Sequence, residues 1–432
     1  MATLAITDGR VLRPDLSVTA ADVLIDQDSG TIREIGSDLA DDADETLDAA
    51  ESLVTPGFVN GHCHVAMTLL RGYADDKHLD AWLQEDIWPA EGELTPEDVR
   101  VGAELGLLEM IKAGTTAFAD MYFHVPEVAA AVEDAGVRAR LGHGIVTVGK
   151  DGEAAREDAR TSLEIAREYD GAADGRISTA FMPHSLTTVG DEYLAEFVPE
   201  AREAGVPVHY HANETEDEVA PIVEEHGERP LEYAADRGML EPEDFLAHGV
   251  HLDDSEIDLL ADAGTGVIHC PASNMKLASG MAPVESMLEA GVSVGLGTDG
   301  AASNNDLSML DEARDAAMLG KLAADDASAV PAEAVVEMAT RGSAEAIGLE
   351  SGRIEAGAPA DFAVLDLDKP HLTPPHDLVS HLAYAAAAAD VRHTVCDGRV
   401  LMRDRELLTL DETAVRERAL EAAEALAARA DG

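Results

Sequence analysis

The sequence predicts an α/β protein: a (β/α)8 TIM-type barrel with a small β-sandwich domain built from both chain ends. Three observations predict it. Apolar runs alternate with amphipathic stretches through the middle of the chain, which implies a parallel sheet. Eight such units fill roughly 250 residues, the usual size of a closed barrel. The two chain ends share a different style, with short strands and tight turns. The expected division is 1–54 plus 355–432 for the composite small domain with its C-terminal helix, and 55–354 for a metal-dependent barrel.

The elements follow in order. Leu4-Ala5-Ile6 runs to a turn at Asp8-Gly9, and Val23-Leu24-Ile25 to a turn at Ser29-Gly30. The first barrel strand enters through Val54-Thr55-Pro56-Gly57-Phe58-Val59 and ends on Gly61-His62-Cys63-His64. Later strands are expected to end near Tyr122, Val146, His184, His211, His251, Asn274 and Asp299. Helices are expected over Pro96–Lys112, 153–169, 191–204 and Asp254–Ala263. Strand patterns return at Ala360-Asp361-Phe362-Ala363-Val364-Leu365 and Thr394-Val395-Cys396, and 411–430 reads as a terminal helix. An open doubly wound sheet is the alternative. It is disfavoured because no glycine-rich phosphate loop follows the first strand.

Residues two apart in a strand share a face, so His62 and His64 can aim two imidazoles at one point. Imidazole is a common ligand for a borderline metal. An isolated pair would read better as a surface turn, but the other strand endings bring His184, His211, His248 and Asp299 to the same barrel face. In Val206-Pro207-Val208-His209-Tyr210-His211, His211 lies nearer the strand end and is the preferred third ligand. His209 is expected to pack behind it. Asp299 ends a buried strand, where a carboxylate is costly unless it is paired or metal-bound; a helix N-cap is the competing reading. Three histidines and a carboxylate leave an open coordination position, the mark of a catalytic site. Glu214, three residues past His211, can move a proton over that site, although any single glutamate in so acidic a chain is more often solvated. His248 could ligate or orient water, and His251 reads as solvated. No lysine lies on the strand ending at His184, so a carbamylated-lysine bridge is unavailable and one metal is inferred.

The formal net charge of −56 is spread along 432 residues, as in Asp41-Asp42-Ala43-Asp44-Glu45 and Glu216-Asp217-Glu218. Such a surface repels itself at low ionic strength and is tolerated when salt screens it, which reads as halophilic. It argues against nucleic acid and anionic membranes, which need basic patches. The three cysteines, Cys63, Cys270 and Cys396, are too scattered for a disulfide framework or a thiolate zinc site. The start of the chain lacks the pattern of a signal peptide, and no apolar run reaches membrane length, so a cytoplasmic location is expected.

Longer motifs carry a resemblance. They are Pro56-Gly57-Phe58-Val59-Asn60-Gly61-His62-Cys63-His64 with Met67-Thr68-Leu69-Leu70-Arg71-Gly72, Asp120-Met121-Tyr122-Phe123-His124, Pro271-Ala272-Ser273-Asn274-Met275-Lys276-Leu277, and Gly297-Thr298-Asp299-Gly300-Ala301-Ala302-Ser303-Asn304-Asn305. The chain resembles the amidohydrolase superfamily, and within it the 5-methylthioadenosine/S-adenosylhomocysteine deaminases, over nearly its whole length. The resemblance implies zinc on His62, His64, His211 and Asp299, one ion per subunit, with Fe2+ or Mn2+ as the other candidates. It implies that Glu214 protonates purine N1, that His248 polarises the attacking water, and that Asp299 also accepts a proton. Glu91, in Trp88-Pro89-Ala90-Glu91, would hold the ribose hydroxyls, and His184 would contact the nucleoside. The expected partner is a small nucleoside, in a homo-oligomer. The chain departs from this family in one place: His143, in Leu141-Gly142-His143-Gly144, stands where a carboxylate-binding arginine is expected, and Arg156 is an uncertain match to a second one. The cytidine-deaminase type of zinc site is excluded, since Pro-Cys-x-x-Cys is absent. The alternatives are a hydrolase of another amino-heterocycle, such as guanine or a triazine, and a catalytically inactive scaffold.

Overall fold

The computed structural model describes residues 2–430. Its centre is a ring of parallel strands: Phe58–His64, Thr115–Tyr122, Arg138–Ile145, Ile177–Thr179 continued by Met182–Pro183, His209–Ala212, Phe245–His248, Gly266–His269, and Val294–Leu296 continued by Asp299–Gly300. The fourth strand meets the fifth through parallel bridges at Phe181–Val208 and Ser185–His211. The ring closes where Asp299 and Gly300 pair with Cys63 and His64. These strands are buried on both faces along nearly their whole length, which explains their continuous apolar runs.

Closure depends on one glycine in particular. A Cβ at Gly297 would lie 2.8 Å from the backbone nitrogen of His62, so only glycine lets the eighth strand approach the first at this point. The surrounding helices start where side chains satisfy their free N–H groups. Thr95 and Asp98 form a capping box ahead of Pro96–Lys112, and Asp253 and Glu256 form another ahead of Asp254–Ala263.

Two strand endings differ from expectation. The sixth strand stops at His248, three residues before His251, because Gly249 follows in a left-handed conformation. The seventh stops at His269 and not near Asn274, which lies on the short helix Pro271–Lys276. Pro271 cannot donate to a strand ladder, but its missing N–H costs nothing at the start of a helix.

The two chain ends meet in one continuous sheet, nine-stranded among the described residues. Its centre is Ser52–Pro56, parallel to the end of Thr3–Leu12 on one side and antiparallel to Phe362–Asp366 on the other. Leu4, Ile25, Val54, Phe362 and Val395 contribute to its apolar cluster, separate from the barrel core. The last helix, Glu412–Ala430, was expected with this sheet but packs on the barrel helix Pro96–Lys112. Its buried Val415, Ala419 and Leu426 face inward, while Lys112–Glu412, Arg418–Glu104 and Arg429–Asp98 ion pairs flank the contact. Residues 1, 431 and 432 of the expected small domain lie outside the described residues. Among the described residues, no helix is long and apolar enough to cross a membrane.

Candidate active site

His62 and His64 end the first strand, His211 the fifth, His248 the sixth, and Asp299 opens the last segment of the eighth. One potential ligand atom from each of His62, His211, His248 and Asp299 lies within 4.8 Å of the others. His64 joins them, with Nε2 3.1 Å from Asp299 Oδ1 and 3.3 Å from His211 Nε2. Asn213, His248 and Asp299 all have positive φ at neighbouring strand mouths, of 55°, 77° and 57°. None is glycine, so each conformation costs roughly 1–3 kcal/mol, strain of the kind that gathers at functional sites.

The outer nitrogens set the tautomers. A carbonyl can only accept, so His64 Nδ1 donates to Met121 O at 2.5 Å and His211 Nδ1 donates to His184 O at 2.6 Å. His209 Nδ1 likewise donates to Phe245 O, leaving its Nε2 to accept from His62 Nδ1 at 2.9 Å. His209 therefore lies behind the cluster, as the sequence suggested, and orients His62. Each of His62, His64 and His211 turns its Nε2 inward, the arrangement a metal-ligating imidazole needs. The Nε2 of His62 is buried and has no hydrogen-bond partner.

Asp299 Oδ2 accepts from the Ser273 and Ser303 hydroxyls, both at 2.7 Å, which turns Oδ1 toward His62 and His64. Burial pushes the Asp299 carboxyl up, but the nearby His62 and His64 imidazoles outweigh it and hold the group well below the usual carboxylate range. Burial also lowers the His64 imidazole, yet its bond to Asp299 carries it up to about 9. His62, with less compensation, is pushed by burial down to about 4. A buried anion that must borrow a proton from a histidine, beside an orphaned ring nitrogen, is a site suited to a divalent cation. The donor set of imidazoles and one carboxylate, without thiolate, suits zinc and does not rule out iron or manganese.

The histidine–aspartate cluster forms the floor of a cavity of about 150 Å3, walled by Leu79, Trp82, Leu83, Trp88, Met121 and Phe123. Glu91, His184, Glu214, Glu218 and His248 also line it. Glu214 Oε2 is 3.6 Å from His248 Nε2, and Glu214 Oε1 accepts from the Ser279 hydroxyl at 3.0 Å. Burial raises the Glu214 carboxyl. His248 is fixed from behind by Asn274 Oδ1 at 2.9 Å. Burial lowers His248, but the charges of Glu214 and Asp299 outweigh it and raise the imidazole. Glu91 comes from the segment between the first two strands, and burial pushes its carboxyl up to about 7. His184 is pushed by burial and the neighbouring histidines down to about 3, so it is neutral; its Nδ1 meets Thr188 Oγ1 at 3.0 Å.

The structure thus brings together every residue singled out for the site: His62, His64, Glu91, His184, His211, Glu214, His248 and Asp299. Two others fall outside. His143 does not line the cavity and is held by Asp158 at 2.9 Å, while Arg156 pairs with Glu196 at 2.9 Å on an exposed helix face. No lysine or arginine lines the cavity among the described residues. Sequence reasoning missed Glu218, which accepts the Glu214 N–H at 2.8 Å, and also Ser273, Ser279 and Ser303. Ser273 and Ser303 sit in motifs quoted above, next to residues that were singled out; nothing marks Glu218 apart from its acidic neighbours.

The amidohydrolase family model matches residues 53–401. A "5-methylthioadenosine/S-adenosylhomocysteine deaminase" of Halobacterium salinarum is 68% identical over 99% of this chain and 99% of its own length. A "5'-deoxyadenosine deaminase" of Methanosarcina mazei is 46% identical over 99% of both. A zinc-bound adenosine deaminase of Xanthomonas campestris superposes with a TM-score of 0.93, at 35% identity and 99% coverage of each chain.

Proposed function

The chain belongs to the amidohydrolase family, and from that premise we propose that it deaminates an adenosine-type nucleoside by hydrolysis, releasing ammonia and the inosine analogue. Its full-length relatives named as deaminases make it a hydrolytic enzyme acting on such substrates. The observation that carries the reading is one cavity holding a divalent-cation cluster, a buried acid at Glu214 and a second carboxylate at Glu91.

His62, His64, His211 and Asp299 would hold the ion, with His248 close enough to complete the set. When bound, the ion supplies Lewis acidity and makes water at the site more acidic. The remaining work falls to side chains. Glu214, whose carboxyl burial shifts toward the protonated form, delivers a proton to purine N1 and makes C6 electrophilic. His248 orients the water whose oxygen forms the new bond to C6. Asp299 takes a proton from that water and passes it to N6, so that the C6–N6 bond breaks with ammonia leaving, and the proton left on the new C6 oxygen returns to Glu214 as the carbonyl forms. Glu91 accepts hydrogen bonds from the ribose diol, and neutral His184 contacts the nucleoside. Trp82 and Trp88 exclude bulk water. Glu91 has no such task with guanine or a triazine, and a scaffold protein would have no use for a complete ligand set. Ammonia release and the absorbance change from adenine to hypoxanthine, followed over a panel of adenosine analogues in high salt, test the reading. No turnover by zinc-loaded protein on any of them would overturn it.

The substrate panel has an expected order. S-adenosylhomocysteine carries a carboxylate, and the cavity lining offers no lysine or arginine among the described residues. A neutral imidazole cannot pair with a carboxylate in bidentate fashion as guanidinium does, and His143 is already engaged by Asp158. We expect 5'-methylthioadenosine or 5'-deoxyadenosine to show the higher kcat/KM. A higher value for S-adenosylhomocysteine at neutral pH would require a cation from outside this chain.

We also propose a halophilic, cytoplasmic, homo-oligomeric enzyme divided at the domain boundaries given above. Halophily is supported by the −56 net charge and by relatives from Halobacterium and Haloarcula. At 1 M salt the screening length falls to about 3 Å, so surface repulsion collapses. The melting temperature should rise steeply with KCl through the molar range. A melting temperature indifferent to KCl would refute the proposal.

A further inference from the structure

A second cavity lies at the opposite end of the barrel from the metal cluster. Arg140, near the start of the third strand, and Arg167, on the helix Gly152–Tyr169, both line it. Its volume is about 380 Å3. Arg140 is only 9% exposed, yet it forms no ion pair among the described residues. Its Nε donates to the Ser178 hydroxyl at 3.1 Å, and one terminal nitrogen reaches the Gly348 carbonyl at 3.3 Å. The other terminal nitrogen has no hydrogen-bond partner among the described residues and is not fully shielded from solvent. Arg167, exposed on its helix, has no hydrogen bond or ion pair among them.

These facts are out of place in this chain. Only 30 lysines and arginines stand against 86 acidic residues, so carboxylate partners are abundant. A guanidinium largely buried without a counter-charge is costly even where some of its N–H groups are hydrogen-bonded. Burial depresses Arg140 to about 10, while Asp170 and Glu243 act on it only from a distance. Both of those acids line the cavity rim and are exposed, and neither closes on the guanidinium. Thr179 adds a hydroxyl to the lining.

We propose that this cavity is an anion site, in which a small inorganic anion, chloride or phosphate, bridges Arg140 and Arg167. The anion supplies the counter-charge that the fold withholds, in a basin remote from the reaction. A stabilising role follows, because a ligand that binds only the folded state raises the melting temperature in a saturable way.

The test uses the metal-loaded full chain. Potassium glutamate, whose anion is bulkier, is exchanged stepwise for KCl at constant ionic strength, and a parallel series adds potassium phosphate. The melting temperature of the unaltered protein should climb by about 2 °C and then saturate. Arg140→Gln should show no saturable component in either series, with deamination unchanged at saturating salt. Whichever series saturates at the lower concentration identifies the favoured anion. Bromide soaked into crystals should give an anomalous peak beside Arg140, a measurement that does not depend on any variant folding. Identical titrations for the unaltered protein and Arg140→Gln, or no bromide peak in the cavity, would overturn the proposal.

Discussion

Alanine at His62 or His211 is expected to yield a folded protein that retains almost no divalent ion and no measurable turnover. Each imidazole supplies its Nε2 to the cluster, and each is locked by a partner on its other nitrogen, His209 for His62 and the His184 carbonyl for His211. Losing only such an outer partner typically weakens metal binding about 10–100-fold, so losing the ligand itself should cost more. Nor can another histidine substitute easily, because His64, His248 and Asp299 already point to the same spot. Elemental analysis of purified variants, paired with ammonia release, reads both effects. Full activity in a metal-free preparation would end the model.

Glutamine at Glu214 is expected to separate binding from chemistry. It keeps the shape of the side chain, and its amide can still meet the Ser279 hydroxyl. It cannot cycle a proton to the substrate. Metal content should stay near one ion per chain while turnover falls by about two to four orders of magnitude, the scale of a positioned acid–base group. The fall should appear in kcat, since the group acts in the transition state. Near-normal turnover would return Glu214 to the ordinary acidic surface.

Both variants were legible before any coordinates because a parallel barrel maps strand endings onto one face. His64, His211 and Asp299 could be assigned to that face from apolar runs alone. Their supporting groups could not. Ser273 and Ser303 reach Asp299 from a short helix and a turn, and neither follows a strand period. Glu218 holds the Glu214 backbone from one turn further along, at the end of the acidic run Glu216-Asp217-Glu218, where nothing sets it apart. The seventh strand was drawn too long because Val267-Ile268-His269-Cys270 reads on smoothly into Pro271, and only the local helix reveals the break. The terminal helix gave a clear helical pattern with no clue to its neighbour. Its attachment to Pro96–Lys112 joins residues some 300 positions apart, through buried Val415, Ala419 and Leu426 and flanking charge pairs such as Lys112 with Glu412.

The central strand of the small sheet, Ser52–Pro56, has a consequence for how the chain is made. Its antiparallel neighbour is Phe362–Asp366, with Val54 facing Val364. During synthesis at about 5–20 residues per second, the first segment leaves the ribosome roughly 15–60 s before its mate. Through that interval Leu53, Val54 and Thr55 present an open hydrogen-bonding edge next to the strand that carries His62 and His64. The nascent chain is therefore most exposed to mispairing early in translation, and the small sheet cannot close until the last sixth of the protein begins to emerge, well after Asp299 has completed the ligand cluster.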